Sequence, residues 1–155
     1  MSDVSGVPVA WMLSSNIQSE TVAYFLNLVR SWNPAVRPAY FMTDCDQAQI
    51  AALETVFPQT QVTLCRWHVL RAIQSHFRTD QFPELWDLLK KLVRTSDLGE
   101  FFAIWEKISS DPAFPQSFVE YFSTKWIPVV HMWSPVTQKS QVIYEEGDTN
   151  MLLEG

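Results

Sequence analysis

The sequence has few cysteines, few glycines and few positive charges, and each shortage excludes a class of protein. Two cysteines, Cys45 and Cys65, are too few for a disulfide scaffold, so we expect both to be reduced in an intracellular protein. Only four glycines occur in 155 residues, and they form no glycine-rich phosphate loop. A formal net charge of −6 argues against a domain that binds DNA by itself.

Long apolar runs and a leader pattern are also missing. No run reaches the roughly 18 apolar residues of a membrane span, and MSDVSGVPVAWML has no basic stretch before its apolar residues. Hydrophobic residues still make up 47% of the chain and aromatic residues 14%. We therefore expect a folded domain that has a real core and no association with a membrane.

The positive charges that are present lie in one part of the chain. Residues 1–64 contain only Arg30 and Arg37, whereas residues 66–94 contain six of the eleven cations. Any contact with phosphate groups is therefore expected from residues 66–94. The simpler interpretation of these cations is that they lie on solvated helix faces.

Residues 7–78 alternate between strand and helix patterns. GVPVAWMLSS is apolar at both alternating sets of positions, which predicts a strand buried on both faces. SETVAYFLNLVRSW predicts an amphipathic helix capped by Ser19. AYFMT and VTLC predict two more strands, each followed by a helix pattern. The alternation predicts an α/β fold with parallel neighbouring strands.

Polar and reactive side chains follow two of these strands. Asp44 and Asp46 come after AYFMT, and Cys65 and His68 come at or just after the end of VTLC. Because the carboxyl ends of parallel strands meet at one edge of a sheet, we expect these side chains at a shared edge. Carboxylates there could bind Mg²⁺. The simpler interpretation is that Asp44 bonds a turn and Asp46 caps a helix, with Gln49 completing a capping box.

The Cys65-x-x-His68 spacing leaves several roles open. It is a zinc-ligand spacing, but a structural zinc needs four ligands and only Cys45 offers an obvious third. A buried cysteine beside a histidine bonded to backbone is an equally simple interpretation. A catalytic thiolate is also conceivable at a strand-to-helix bend, although no oxyanion-hole loop is recognisable.

From residue 80 onward the pattern becomes entirely helical. FPELWDLLKKLV, DLGEFFAIWEKI and PQSFVEYFSTKWI each have helical spacing, and Asp97 is a predicted cap. Four tryptophans in this region could form a contact surface, but core packing is the simpler use; they are Trp86, Trp105, Trp126 and Trp133. Near the C-terminus, Asn150 and Glu154 would share a face if that segment were helical.

Three segments together resemble the Mutator-like element (MULE) transposases. They are GVPVAWMLSSNIQSETVAYFLNLVRSW, YFMTDCDQAQIAALETVFPQTQVTLCRWH and DTNMLLEG, in the family's order and spacing. The resemblance implies an α/β fold with an incomplete RNase H-like three-layer core and an appended all-α insertion. It divides the chain into a partial core over residues 1–79, a helical insertion over residues 80–145, and the start of a third-acid segment over residues 146–155.

The same resemblance implies roles for individual residues. Asp44 and Glu154 would be the second and third acids of an Asp-Asp-Glu (DDE) site that binds Mg²⁺, and Asn150 belongs to the motif that carries the third acid. Cys65 and His68 would be the pair that accompanies the second acid. The implied activity of the parent protein is Mg²⁺-dependent cleavage and transfer of DNA strands at transposon ends, in the nucleus.

Two departures from the family pattern change the expectation for this chain. Asp3 does not match the position of the first acid, and the chain ends one residue after Glu154. We therefore expect a fragment or degenerate copy of a transposase catalytic domain without appreciable activity, because two acids cannot hold two metal ions in transfer geometry. The alternative hypotheses are a non-catalytic, transposase-derived module that associates with DNA or protein, and a zinc-stabilised structural unit.

Overall fold

A computed structural model describes residues 7–138, which form two compact units. Within this range, residues 7–65 make up the first unit and residues 66–138 the second. The division falls earlier in the chain than the predicted boundary after residue 79. The third predicted segment, residues 146–155, lies outside the described residues.

The first unit is an α/β structure built on two parallel strands. Helix α1 covers Ser19–Trp32, strand β1 Tyr40–Thr43, helix α2 Gln47–Val56 and strand β2 Gln61–Leu64. The strands pair in parallel, with Tyr40 opposite Gln61 and Thr43 opposite Leu64. Mixed α/β structure with parallel neighbours is therefore confirmed, and the finer prediction of an RNase H-like three-layer core stays a prediction.

The strand predicted from GVPVAWMLSS is wrong. Residues 7–14 form no strand and pair with no strand within residues 7–138. The side chains of Val7, Val9, Trp11 and Leu13 are 79–101% exposed. A strand buried on both faces needs a ladder partner and a layer against each face, and the described part of the chain supplies neither to this segment.

Helix α1 keeps its apolar stripe but buries none of its residues fully. Val22, Phe25 and Leu26 on that stripe are half-buried. The predicted cap was wrong by one residue, because Gln18 occupies the N-cap position and its side chain makes no capping hydrogen bond.

The second unit is helical, as the sequence predicts. Its elements are α3 Arg66–Gln74, α4 Pro83–Arg94, α5 Leu98–Ser110, α6 Gln116–Lys125, a 3-10 turn at Ile127–Val129, α7 Val130–Trp133 and a 3-10 turn at Pro135–Thr137. Asp97 caps α5 by accepting a hydrogen bond from the Glu100 N–H at 2.7 Å. All three helices predicted after residue 80 are confirmed.

The second unit has a dense apolar core. Its fully or almost fully buried side chains come from every helix of the unit and include Val69, Ile73, Leu85, Leu89, Leu92, Val93, Ile108, Phe118, Phe122 and Trp133. The indole Nε1 of Trp133 donates to the Trp126 carbonyl at 2.9 Å, so this buried donor is satisfied. Core packing is confirmed for Trp126 and Trp133.

Across residues 7–138, no helix is long and apolar enough to cross a membrane.

Candidate functional site at the carboxyl end of the sheet

The carboxyl ends of β1 and β2 lie side by side. The Cys65 N–H donates to the Thr43 carbonyl at 2.8 Å, which extends the parallel ladder to the last residue of β1. Asp44 directly follows Thr43, and Cys65 directly follows β2. The prediction that these two strand ends share one edge of the sheet is therefore confirmed for Asp44 and Cys65.

Both aspartates at this edge hold local hydrogen bonds. Asp44 is half-buried, and its Oδ1 accepts from the Asp46 N–H at 3.1 Å. Asp46 Oδ1 accepts from the Gln49 N–H at 2.9 Å and caps α2 as predicted. The second carboxylate oxygen of Asp44 has no hydrogen-bond partner within residues 7–138. One oxygen thus orients the Asp44 carboxylate, and the other remains available to a ligand.

The capping box predicted at α2 is only half formed. Gln49 does not return its side chain to the Asp46 N–H; its Oε1 instead accepts from the Thr43 hydroxyl at 2.7 Å. Thr43 is only 5% exposed, so this bond satisfies a buried hydroxyl at the strand end. Sequence reasoning missed the role of Thr43, and the only signal for it was a threonine directly before Asp44.

Cys65 and His68 occupy different structural settings. The Cys65 side chain is fully buried in the first unit, whereas a nucleophilic thiol is normally partly exposed. The thiol therefore has the burial expected of a packing residue rather than a nucleophile. His68 is the third residue of α3 in the second unit, and its ring meets Trp67 edge-on with centroids 4.8 Å apart.

The described residues do not assemble a complete metal site. Within residues 7–138, no group of three His, Cys, Asp or Glu side chains is placed to hold a metal ion. The two C-terminal positions of the predicted site, Asn150 and Glu154, lie outside the described residues. Asp44 and Asp46 each use one carboxylate oxygen in a local hydrogen bond at this edge, and the second oxygen of each has no hydrogen-bond partner within residues 7–138.

Three of the six cations between residues 66 and 94 form ion pairs with carboxylates of the helical unit. These pairs are Arg78–Asp80 at 2.7 Å, Lys90–Asp87 at 2.6 Å and Lys91–Glu100 at 2.7 Å. The hydrogen bond from Arg78 lowers the pKa of Asp80, and the hydrogen bond from Lys91, followed by that from Thr95, lowers the pKa of Glu100. These contacts favour solvated, self-paired helix faces over a continuous basic surface.

Comparison with known proteins finds one family match, in the N-terminal part of the chain. Residues 2–72 match the family model of the MULE transposase domain. The matched segment contains the whole α/β unit, including both strands and Asp44, and extends into α3. No curated protein and no solved structure gives a significant match. The resemblance to MULE transposases is therefore confirmed over residues 2–72.

Proposed function

We propose that this chain derives from the catalytic domain of a DDE-type MULE transposase, whose activity is Mg²⁺-dependent cleavage and transfer of DNA strands. The family match suggests a transposase-derived function. The observation that carries the finer proposal is the position of Asp44, directly after β1 and beside the end of β2. Ligands of parallel sheets bind at this edge.

In this proposal Asp44 and Glu154 are ligands of Mg²⁺. Asp46 contributes by donating its N–H to Asp44 Oδ1, which holds the carboxylate in one orientation. Carboxylate oxygens are the ligands that Mg²⁺ prefers in proteins. The described residues alone do not fit a two-metal site, since no group of three His, Cys, Asp or Glu side chains among them is placed to hold a metal ion. DNA at transposon ends is the proposed partner, and the nucleus the proposed location.

A second function is favoured by the lack of a complete metal-binding group among residues 7–138. A transposase-derived domain that keeps its fold but not its metal site would act as a non-catalytic module that associates with DNA or protein. Catalysis by two metal ions needs several carboxylates that converge on ions about 3.5–4 Å apart. A folded chain that binds DNA without cleaving it would support the second function over the first.

The metal-binding step can be tested with Mn²⁺ as a paramagnetic substitute for Mg²⁺. In the full chain, we expect Mn²⁺ to broaden the amide signals of Asp44 and its neighbours, and excess Mg²⁺ to restore them. Asp44→Ala should abolish this broadening, because it removes the carboxylate that the proposal assigns as the metal ligand.

Asp97→Ala is the matched control for this experiment. Asp97 also accepts a backbone N–H at the start of a helix, but it lies in the helical unit. It should leave the broadening near Asp44 unchanged. Broadening that survives in Asp44→Ala would contradict the role of Asp44 as a metal ligand. Strand cleavage of labelled DNA, compared between the chain and Asp44→Ala, then separates catalytic from non-catalytic function.

A further inference from the structure

The N-terminal segment before α1 is apolar, exposed and without a strand partner. We call residues 7–13 the apolar arm. Trp11 is 81% exposed and Leu13 is 101% exposed, and Val7 and Val9 are similarly open to solvent. The arm forms neither helix nor strand, and its β-branched and aromatic residues have high strand propensity. Contiguous exposed apolar residues of this kind mark interaction surfaces.

The same unit has a strand edge without a ladder partner. The carbonyls of Ala39 and Thr43 accept from N–H groups on the β2 side of β1. Because backbone groups alternate sides along a strand, the N–H and C=O groups of Tyr40 and Met42 face the opposite edge. Within residues 7–138 that edge has no neighbouring strand. An unpaired edge is a template for an additional strand.

An apolar cleft lies beside this strand. Its volume is about 320 Å³. It is lined by Phe41 and Met42 of β1, by Phe25 and Leu26 of α1, and by Leu53 of α2. Because the apolar side chains of α1 face this open cleft, the helix has an apolar stripe but no fully buried residue. An extended segment placed along β1 would cover both the open backbone groups and this apolar surface.

We propose that the apolar arm of a second copy of this chain adds to the free edge of β1 and covers the cleft. Within residues 7–138, both the arm and this edge of β1 lack a neighbouring strand, and the edge lies beside the apolar cleft. An added arm would therefore pair the open backbone groups of β1 and bury apolar side chains of both copies. Met12 of the arm and Ile17 after it line the chain's own cleft, whereas Trp11 and Leu13 are exposed and available to a second copy. If the arm of each copy binds the β1 edge of the other, the assembly closes at two copies. If each arm instead bound a further copy, an open-ended polymer would form.

The proposal predicts a dimer that depends on the arm. The full chain should show twice the 17.9 kDa chain mass in size-exclusion chromatography with light scattering. The double variant Trp11→Ser/Leu13→Ser should be monomeric. Its circular dichroism should match that of the unchanged chain, because both side chains are exposed in the single copy. Amide exchange at Tyr40 and Met42 should be about tenfold faster in this variant than in the dimer.

The matched control is Leu98→Ser/Phe102→Ser, which removes two exposed apolar side chains from the helical unit. It should remain dimeric, with slow exchange at Tyr40 and Met42. A monomeric unchanged chain would overturn the proposal, and so would an arm variant that still associates. Loss of the dimer without faster exchange at Tyr40 and Met42 would show that the arm binds elsewhere and would also overturn it.

Discussion

The two units of this protein differ in how completely they bury their apolar residues. Among residues 7–138, nine exposed large hydrophobic side chains lie in the α/β unit and two, Leu98 and Phe102, lie in the helical unit. Helix α1 has no fully buried residue, whereas α4 buries Leu85, Leu89, Leu92 and Val93. The helical unit thus buries most of its large apolar side chains, whereas the α/β unit leaves many of them exposed.

The difference follows from the kind of contact that each unit uses. A helix makes its backbone hydrogen bonds within one segment and needs neighbours for its apolar stripe alone. A strand needs a neighbouring strand for its backbone as well as layers for its faces. Three helical patterns in a row can therefore make a closed core, whereas the two strands within residues 7–138 each keep one edge without a neighbouring strand.

The largest expected effect comes from Trp133→Ala. Trp133 is fully buried, and its Nε1 donates to the Trp126 carbonyl. Removing it leaves a cavity, which should lower the free energy of unfolding of the helical unit by about 3–5 kcal/mol. Urea denaturation followed by circular dichroism measures this loss. The control Phe102→Ala changes an exposed side chain of the same unit and should stay within about 0.5 kcal/mol. A similar loss of unfolding free energy in both variants would mean that Trp133 does not lie in a well-packed core.

Two capping aspartates provide a paired comparison of intermediate size. Asp46→Ala and Asp97→Ala each remove an N-cap and should each cost about 1 kcal/mol in their own unit. Because the α/β unit has the smaller core, the same loss should open it more often. Amide hydrogen exchange should therefore rise more for β1 and β2 after Asp46→Ala than for α4 and α5 after Asp97→Ala. Equal increases in amide exchange in the two units would contradict the expected difference between them.

The smallest expected effect is a pH dependence at Glu100. The hydrogen bonds from Lys91 and then Thr95 lower the pKa of Glu100 below its ordinary value of 4.5. A folded-state pKa below the unfolded one gives stability that is present above the unfolded pKa and lost as the pH falls through the folded pKa. Glu100→Gln should therefore flatten the acid side of the melting-temperature profile. The change should be small and salt-sensitive, because the pair is exposed. If the melting temperatures of Glu100→Gln and of the unchanged chain fall equally steeply with acid, Glu100 does not contribute to the pH dependence.

How well the sequence predicts each element depends on how local its determinants are. Asp97 is recognisable as a cap because its partner, the Glu100 N–H, lies three residues away. The parallel pairing of β1 and β2 follows from strand–helix–strand order. Gln49 looked like the second half of a capping box, yet its side chain bonds Thr43. That choice depends on the position of the strand end in space, which local spacing does not encode.

In the candidate site, too, some features follow from the order of elements and others only from positions in space. That Asp44 and Cys65 would share an edge follows from the order of elements, because parallel strands end on the same side of a sheet. That one Asp44 oxygen is held by the Asp46 N–H while the other has no partner in the described part of the chain is a matter of side-chain geometry. The full burial of Cys65 does not follow from the sequence, whose Cys-x-x-His spacing leaves packing, zinc-binding and catalytic roles open.

The sequence by itself determined the helical unit, the parallel pair of strands and the relationship of residues 2–72 to MULE transposases. Periodicity, caps and element order are local or sequential properties that a chain carries unfolded. Only the tertiary structure decided that residues 7–14 are exposed instead of a central strand, and which oxygen of Asp44 is engaged. Strand pairing and burial depend on whether a partner surface exists in space, and an apolar pattern is the same with or without that partner.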